Sequence, residues 1–168
     1  MKPAIHLQHY QSPCGEMLLG SYEGQICLCD WAARKNRNAI DNRLHIWFKA
    51  EYVEQDDDIL ISLHQQLDEY FLRERREFDV SYVITGTRFQ QRVWCELESV
   101  QYGEVASYAE IACRIGAPTS VRAVSNAIGA NALSIIIPCH RVIGTKGSLT
   151  SYAGGIPAKC YLLGLEKG

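Results

Sequence analysis

Along roughly the first 30 residues apolar and polar positions alternate in short runs, "AIHLQHY", "MLLGSY" and "QICLCDW". Period-two alternation predicts strands, and Ser12-Pro13, Gly15 and Glu23-Gly24 supply the turn signals between them. The period then lengthens. Ile40, Leu44, Trp47 and Phe48 in "NAIDNRLHIWFKAEY" fall at helical spacing. A second helix is predicted through "DDDILISLHQQLDEYFLRERR", with Ile59, Leu60, Leu63, Leu67, Tyr70 and Phe71 in one apolar stripe. Its acids lead and its bases trail, the order the helix dipole favours.

A boundary is predicted near Thr85-Gly86. Beyond it, "TRFQQRVWCELESV" opens with Thr87 and Gln90, the spacing of a capping box, and turns Phe89, Val93, Trp94, Leu97 and Val100 to a core. "QYGEVA" is a connector. In "SYAEIACRIG" Ser107 and Glu110 repeat the capping device, and Gly116 closes the helix. After Pro118, "TSVRAVSNAIG" predicts another helix, ending at Gly129. Two short helices joined by Gly-Ala-Pro make a helix-turn-helix candidate. The second is slim: Ala123, Ser125, Asn126, Ala127 and Gly129 are small, and Arg122 is its only long charged side chain. Reading base edges in a major groove usually takes several long polar side chains, so this helix suits a narrower groove, with Arg122 able to enter the base stack. The expected class is α+β. A small N-terminal α/β domain with a short antiparallel sheet (1–85) precedes a mainly helical, winged-helix-like domain (86–168).

The chain has 168 residues, 47% hydrophobic and 21% charged, with a net charge of −2. Residues 1–85 carry 9 Lys+Arg against 14 Asp+Glu, and residues 86–168 carry 8 against 5. The basic second half permits a polyanionic partner. No apolar stretch is long enough to span a bilayer, and the start lacks a signal-peptide core, so a prokaryotic-type cytoplasm is expected. Seven cysteines, an odd count, then read as free thiols. Cys27 and Cys29 are expected on one strand face, and Cys95, Cys113 and Cys160 in buried helical stripes. Cys27 and Cys29 form a C-x-C, but no second cysteine pair or histidine pair stands at zinc-finger spacing, so no metal is expected.

The chemistry concentrates in "SIIIPCHRVIG", where the run Ile135-Ile136-Ile137, read as a buried strand or core segment, meets Pro138, Cys139, His140 and Arg141. A thiolate is the nucleophile, and a nearby base or positive charge makes one at neutral pH. Consecutive side chains diverge, so a Cys-His pair needs a tight turn or an intervening water to pass a proton. Downstream, "GTKGSLTSYAGG" is expected as a hairpin whose glycines leave room for a flat ligand beside Tyr152.

"IPCHRVIG", with Asn131 upstream and "SLTSYAGGIPAKCYLLGLE" downstream, closely resembles the O6-alkylguanine-DNA alkyltransferases, as do "TRFQQRVWCEL" and "YGEVASYAEIA". The resemblance covers residues 86–167; the first 85 match loosely, in "SPCGEMLLGSYEGQI". It implies irreversible, single-use transfer of an alkyl group from O6 of guanine in double-stranded DNA to Cys139, without cofactor or obligate protein partner, by a monomer. His140 would draw the thiol proton through a water, Glu166 would orient the imidazole and Asn131 would brace the loop. Tyr108 would press on the target phosphate and assist the departing base, and Arg122 would fill the stack it leaves. Carbonyls of Cys139 and Val142, the ring of Tyr152 and the Ala153 N–H would line the base pocket.

The resemblance also has departures. Gln101 stands where proline is usual, Ser125 where a smaller residue is, Ala132 where proline is and Ser151 where glycine is. Two other readings compete: a non-catalytic binder of alkylated DNA, which would lack the acceptor cysteine, and an unrelated thiol enzyme turning over acyl groups. O4-alkylthymine is an open second substrate.

Overall fold

In the computed structural model, which describes residues 2–168, the chain begins with β1 (Ala4–Ser12), β2 (Gly15–Tyr22) and β3 (Gln25–Trp31). The three pair antiparallel as expected. Glu23 and Gly24, both at positive φ, form the two-residue turn that matches strand twist. Helix α1 (Arg37–Phe48) then crosses over to β4 (Glu51–Glu54), which adds parallel to the other edge of β1, so the order is β3-β2-β1-β4. Helix α2 (Asp58–Phe71) packs on this sheet, its first turn capped by the Asp57 carboxylate accepting from Leu60 N–H.

Three local expectations need correction here. Helix α2 stops at Phe71 because Arg73 adopts φ 62, so the trailing bases lie past the helix and Arg75 folds back to Glu69. Trp47 is 47% exposed, and only Ile40 and Leu44 of α1 are fully buried. The β2–β3 register shifts at Gly20/Ser21, which inserts Cys27 as an extra residue. Alternation is broken there: Cys29 joins the larger core while Cys27 packs in a smaller one with Ile5, Leu28 and Leu44.

Past Gly86 the fold is mainly helical. Helix α3 (Arg88–Leu97) has the full reciprocal capping box of Thr87 and Gln90. Helix α4 (Tyr108–Arg114) follows the short β5 (Ala106–Ser107), with the Ser107 hydroxyl accepting from Glu110 N–H. Gly116, at φ 77, reverses the chain into α5 (Val121–Gly129). Strand β6 (Val142–Ile143) pairs parallel with β5, and α6 (Ile156–Lys167) closes the fold. The larger core is continuous across both halves, joining Met17, Leu19, Leu63 and Tyr70 to Val93, Trp94, Ile137 and Leu162.

Cys95, Cys113 and Cys160 are exposed, against expectation. Each directly follows a buried residue, Trp94, Ala112 and Lys159, and a step of about 100° turns it off the buried face. Among the described residues no three His, Cys, Asp or Glu side chains group as metal ligands, and no helix is long and apolar enough to cross a membrane.

Candidate active site

The isoleucine run does not form a strand. Ala132–Ser134 bonds briefly to the edge of β3, through Cys29 N–H to the Ala132 carbonyl and Ser134 N–H to the Cys29 carbonyl. The chain then turns sharply, with Ile135 at φ 72. That conformation costs a β-branched residue roughly 1–2 kcal/mol, and surrounding contacts must hold it. They do: Asn131, 2% exposed, accepts from Leu133 N–H and donates its amide to the Ile137 carbonyl at 3.0 Å. Pro138 then leads into the 3-10 turn Cys139–Arg141.

This turn separates adjacent side chains. Cys139 faces a cleft of about 600 Å³ between the two halves of the chain. The same cleft is lined by Tyr108, Ser125, Tyr152 and Ala153 from the second half, and by Cys14, Trp31 and Arg34 from the first. His140 turns the other way, fully buried, and its Nε2 lies 2.7 Å from Glu166 Oε2. Its Nδ1 makes no hydrogen bond among the described residues. A carboxylate can only accept, so Nε2 carries the proton and Nδ1 the lone pair.

Glu166 is almost wholly enclosed. Oε1 accepts from Arg141 Nε at 2.8 Å; Oε2 accepts from Arg141 Nη2 at 3.1 Å and from the Tyr70 hydroxyl at 2.5 Å. Arg141 spends its remaining Nη1 on the Val100 carbonyl at 2.7 Å. Burial alone would push the Glu166 carboxyl up, but the donors from His140, Arg141 and Tyr70 overcome it and hold it at about 2. Burial also keeps His140 below its ordinary range, so the imidazole rests neutral. Burial raises the Cys139 thiol, with the Asn131 amide opposing. Lys159 is fully buried, its ammonium makes no hydrogen bond among the described residues, and it lies 5.8 Å from the Tyr108 ring centroid. Burial lowers its pKa and the nearby Cys139 thiolate would raise it, so the two groups stabilise each other's charged forms.

Tyr108 begins α4, half-buried at the cleft, and its oxygen accepts from Thr150 Oγ1 at 3.0 Å, which leaves the phenolic hydrogen free to donate. Arg122 is exposed on α5. Val142 is fully buried in β6 and does not line the cleft. Segment 144–155 is an extended loop with one 3-10 turn at Thr145–Gly147, not the expected hairpin, because no partner strand forms opposite it. Arg141 stands out in the sequence beside Cys139 and His140, but Tyr70 reads only as one member of an apolar stripe, and nothing in the sequence draws Lys159 to this site.

Two family models match the chain, the ribonuclease-like domain of 6-O-methylguanine DNA methyltransferase over residues 5–82 and its DNA-binding domain over 88–168. The chain belongs to the 6-O-methylguanine DNA methyltransferase family. It is similar to the constitutive methylated-DNA–protein-cysteine methyltransferase of Bacillus subtilis, at 39% identity over 94% of this chain and 92% of that one. With a Mycobacterium bovis protein of the same name it is 57% identical over 61% of its length, and the match spans 62% of that relative. A crystal structure of Mycobacterium tuberculosis OGT in complex with DNA superposes with a TM-score of 0.83 at 40% identity, covering 96% of this chain and 92% of that one. The methyltransferase family membership fits a fold in which a buried histidine-carboxylate pair backs a cleft-facing thiol.

Proposed function

We propose that the protein repairs DNA by direct reversal, moving an alkyl group from O6 of guanine in duplex DNA onto Cys139, once per molecule. One observation carries the reading: a thiol at the wall of a cleft with room for a purine is backed by a neutral His140 with its Nδ1 lone pair unused and its Nε2 proton held by Glu166. The thiol proton passes through a water to His140 Nδ1. The sulfur attacks the alkyl carbon in line, the carbon–O6 bond breaks, and its electron pair stays on O6. Tyr108 supplies a hydrogen to the departing base and bears on its phosphate. The thioether product offers water no easy leaving group, so the protein is consumed.

The remaining roles extend the same reading. The target base leaves the stack, since O6 is otherwise inside it, and the exposed Arg122 on slim α5 takes its place. Tyr152 and Ala153 wall the pocket, the carbonyl of Cys139 takes the exocyclic amine, and Asn131 braces the loop; Val142, buried outside the cleft, has no part in holding the base. Residues 86–168 form the reacting domain and 1–85 the supporting one. The protein works as a monomer in a prokaryotic-type cytoplasm, beside the nucleoid.

Intact-protein mass after mixing with O6-methylguanine duplex tests this. One added methylene, mapped to Cys139, is expected, and Cys139→Ala should bind the duplex without gaining mass. No gain in the wild type would instead indicate a non-reacting binder, and repeated turnover of an ester an acyl-transfer enzyme.

A further inference from the structure

Residues 151–155 of the loop Gly144–Gly155 form one wall of the cleft. The backbone bonds of the loop are local, Gly144 N–H to the Ser148 carbonyl at 2.8 Å, Gly147 N–H to the Gly144 carbonyl at 3.1 Å and Gly155 N–H to the Tyr152 carbonyl at 2.9 Å, and Thr150 ties to Tyr108. The other anchor comes from the first half of the chain. Trp31, the last residue of β3 and 3% exposed, donates its indole N–H to the Tyr152 hydroxyl at 3.2 Å. The rings meet edge to face, 6.0 Å apart at 70°. Gly154 lies flat on the same indole, where a Cβ would come within 2.6 Å of ring atoms. The turn at Gly15 touches the six-membered ring of the same indole, its Cβ position 3.8 Å away. The indole is therefore wedged between the β1–β2 turn and the pocket loop, and its one polar atom is spent on Tyr152.

We propose that Trp31 is a positioning residue that fixes Tyr152 and the backbone at Gly154, and so sets the width of the base pocket and the size of alkyl group it admits. This deepens the alkyl-transfer reading and rests on it. A rigid, buried ring can fix the place of a loop wall whose own hydrogen bonds only shape it locally. It also gives the first half of the chain a part in substrate selection. Large, flat alkyl groups that must lie against Tyr152 depend on this wall more than a methyl group does.

The test is a double-mutant cycle on Trp31→Phe and Tyr152→Phe, reading single-turnover alkylation of Cys139 by free O6-benzylguanine and by O6-methylguanine duplex. Loss of one hydrogen bond predicts that each single change slows benzyl transfer about fivefold. Because both remove the same bond, the double change should slow it no further, and methyl transfer should fall less. Multiplying effects, or equal loss on both substrates, would overturn the proposal. Gly154→Ala is the second variant, pressing the wall from the other side. It should lower the benzyl-to-methyl rate ratio, and an unchanged ratio counts against Trp31 in the same way. Wild-type protein that takes up neither group would overturn the alkyl-transfer reading and this inference with it.

Discussion

The hydroxyl of Tyr70 lies 2.5 Å from Oε2 of Glu166, although 96 residues separate them along the chain. Tyr70 sits on α2 in the first half and Glu166 on α6 at the far end, so the two halves meet at the carboxylate behind His140. With donors from Tyr70, His140 and Arg141, the carboxylate has little affinity left for a proton, and the shared proton stays on the imidazole.

Tyr70→Phe keeps the ring packing and removes one donor to a buried charge. Such a bond is worth about 2 kcal/mol. The expected loss of that size should appear in urea denaturation, and an unmoved midpoint would mean the carboxylate does not need the phenol.

Glu166→Gln acts on the chemistry. The glutamine can present an N–H to His140 Nε2, which favours the tautomer with its hydrogen on Nδ1, the atom required to accept. Alkyl transfer should slow about a hundredfold or more. Arg141 also loses its buried counter-charge, so stability should fall by about 3 kcal/mol. Wild-type transfer rates in this variant would remove the pair from the mechanism.

Acid should unfold the protein through the same pair. The Glu166 carboxyl is held at about 2, below its unfolded value, so its stabilising effect is present above that unfolded value and is lost as pH falls toward 2. His140 is held below its ordinary range and buried neutral, so charging it in the unfolded chain begins to favour unfolding below about pH 6.5. Urea midpoints should hold near pH 7, decline below about pH 6.5 through His140 and fall further below about pH 4.5 through Glu166, so a profile flat from about pH 7.5 to pH 3 would contradict both assignments.

Lys159→Met removes a buried positive charge close to the thiol without emptying its volume. The Cys139 thiol should titrate at higher pH, moving the rate–pH curve of alkyl transfer in the alkaline direction. The variant should be slowest, relative to wild type, at neutral pH and recover as pH rises. A uniform drop at every pH would point to packing instead of charge.

Arg122→Ala should slow repair in duplex DNA more than reaction with free O6-benzylguanine, which needs no extrusion from a stack. Comparing the two single-turnover rates decides it, and equal slowing would take Arg122 out of base eversion.

The parts of the fold legible in the chain are those written within a few neighbouring residues. Thr87 and Gln90 cap α3 as their spacing predicts, Ser107 caps α4, and Glu23-Gly24 turns β2 into β3. Where the reading of a segment failed, a non-local or conformational choice had intervened. Cys27 left the expected face because β2 and β3 pair with a bulge, Arg73 ended α2 early, and loop 144–155 found no strand to pair with.

The sequence by itself determined the order of elements and the thiol–imidazole pair at the end of an apolar run, because periodicity, capping and turn chemistry act over one or two turns of backbone. Tertiary structure alone decided the protonation of that pair. Tyr70, Arg141 and Lys159 reach the site from a helix, a tight turn and another helix, and a buried charge takes its pKa from whatever neighbours and solvent exclusion the whole fold brings to it.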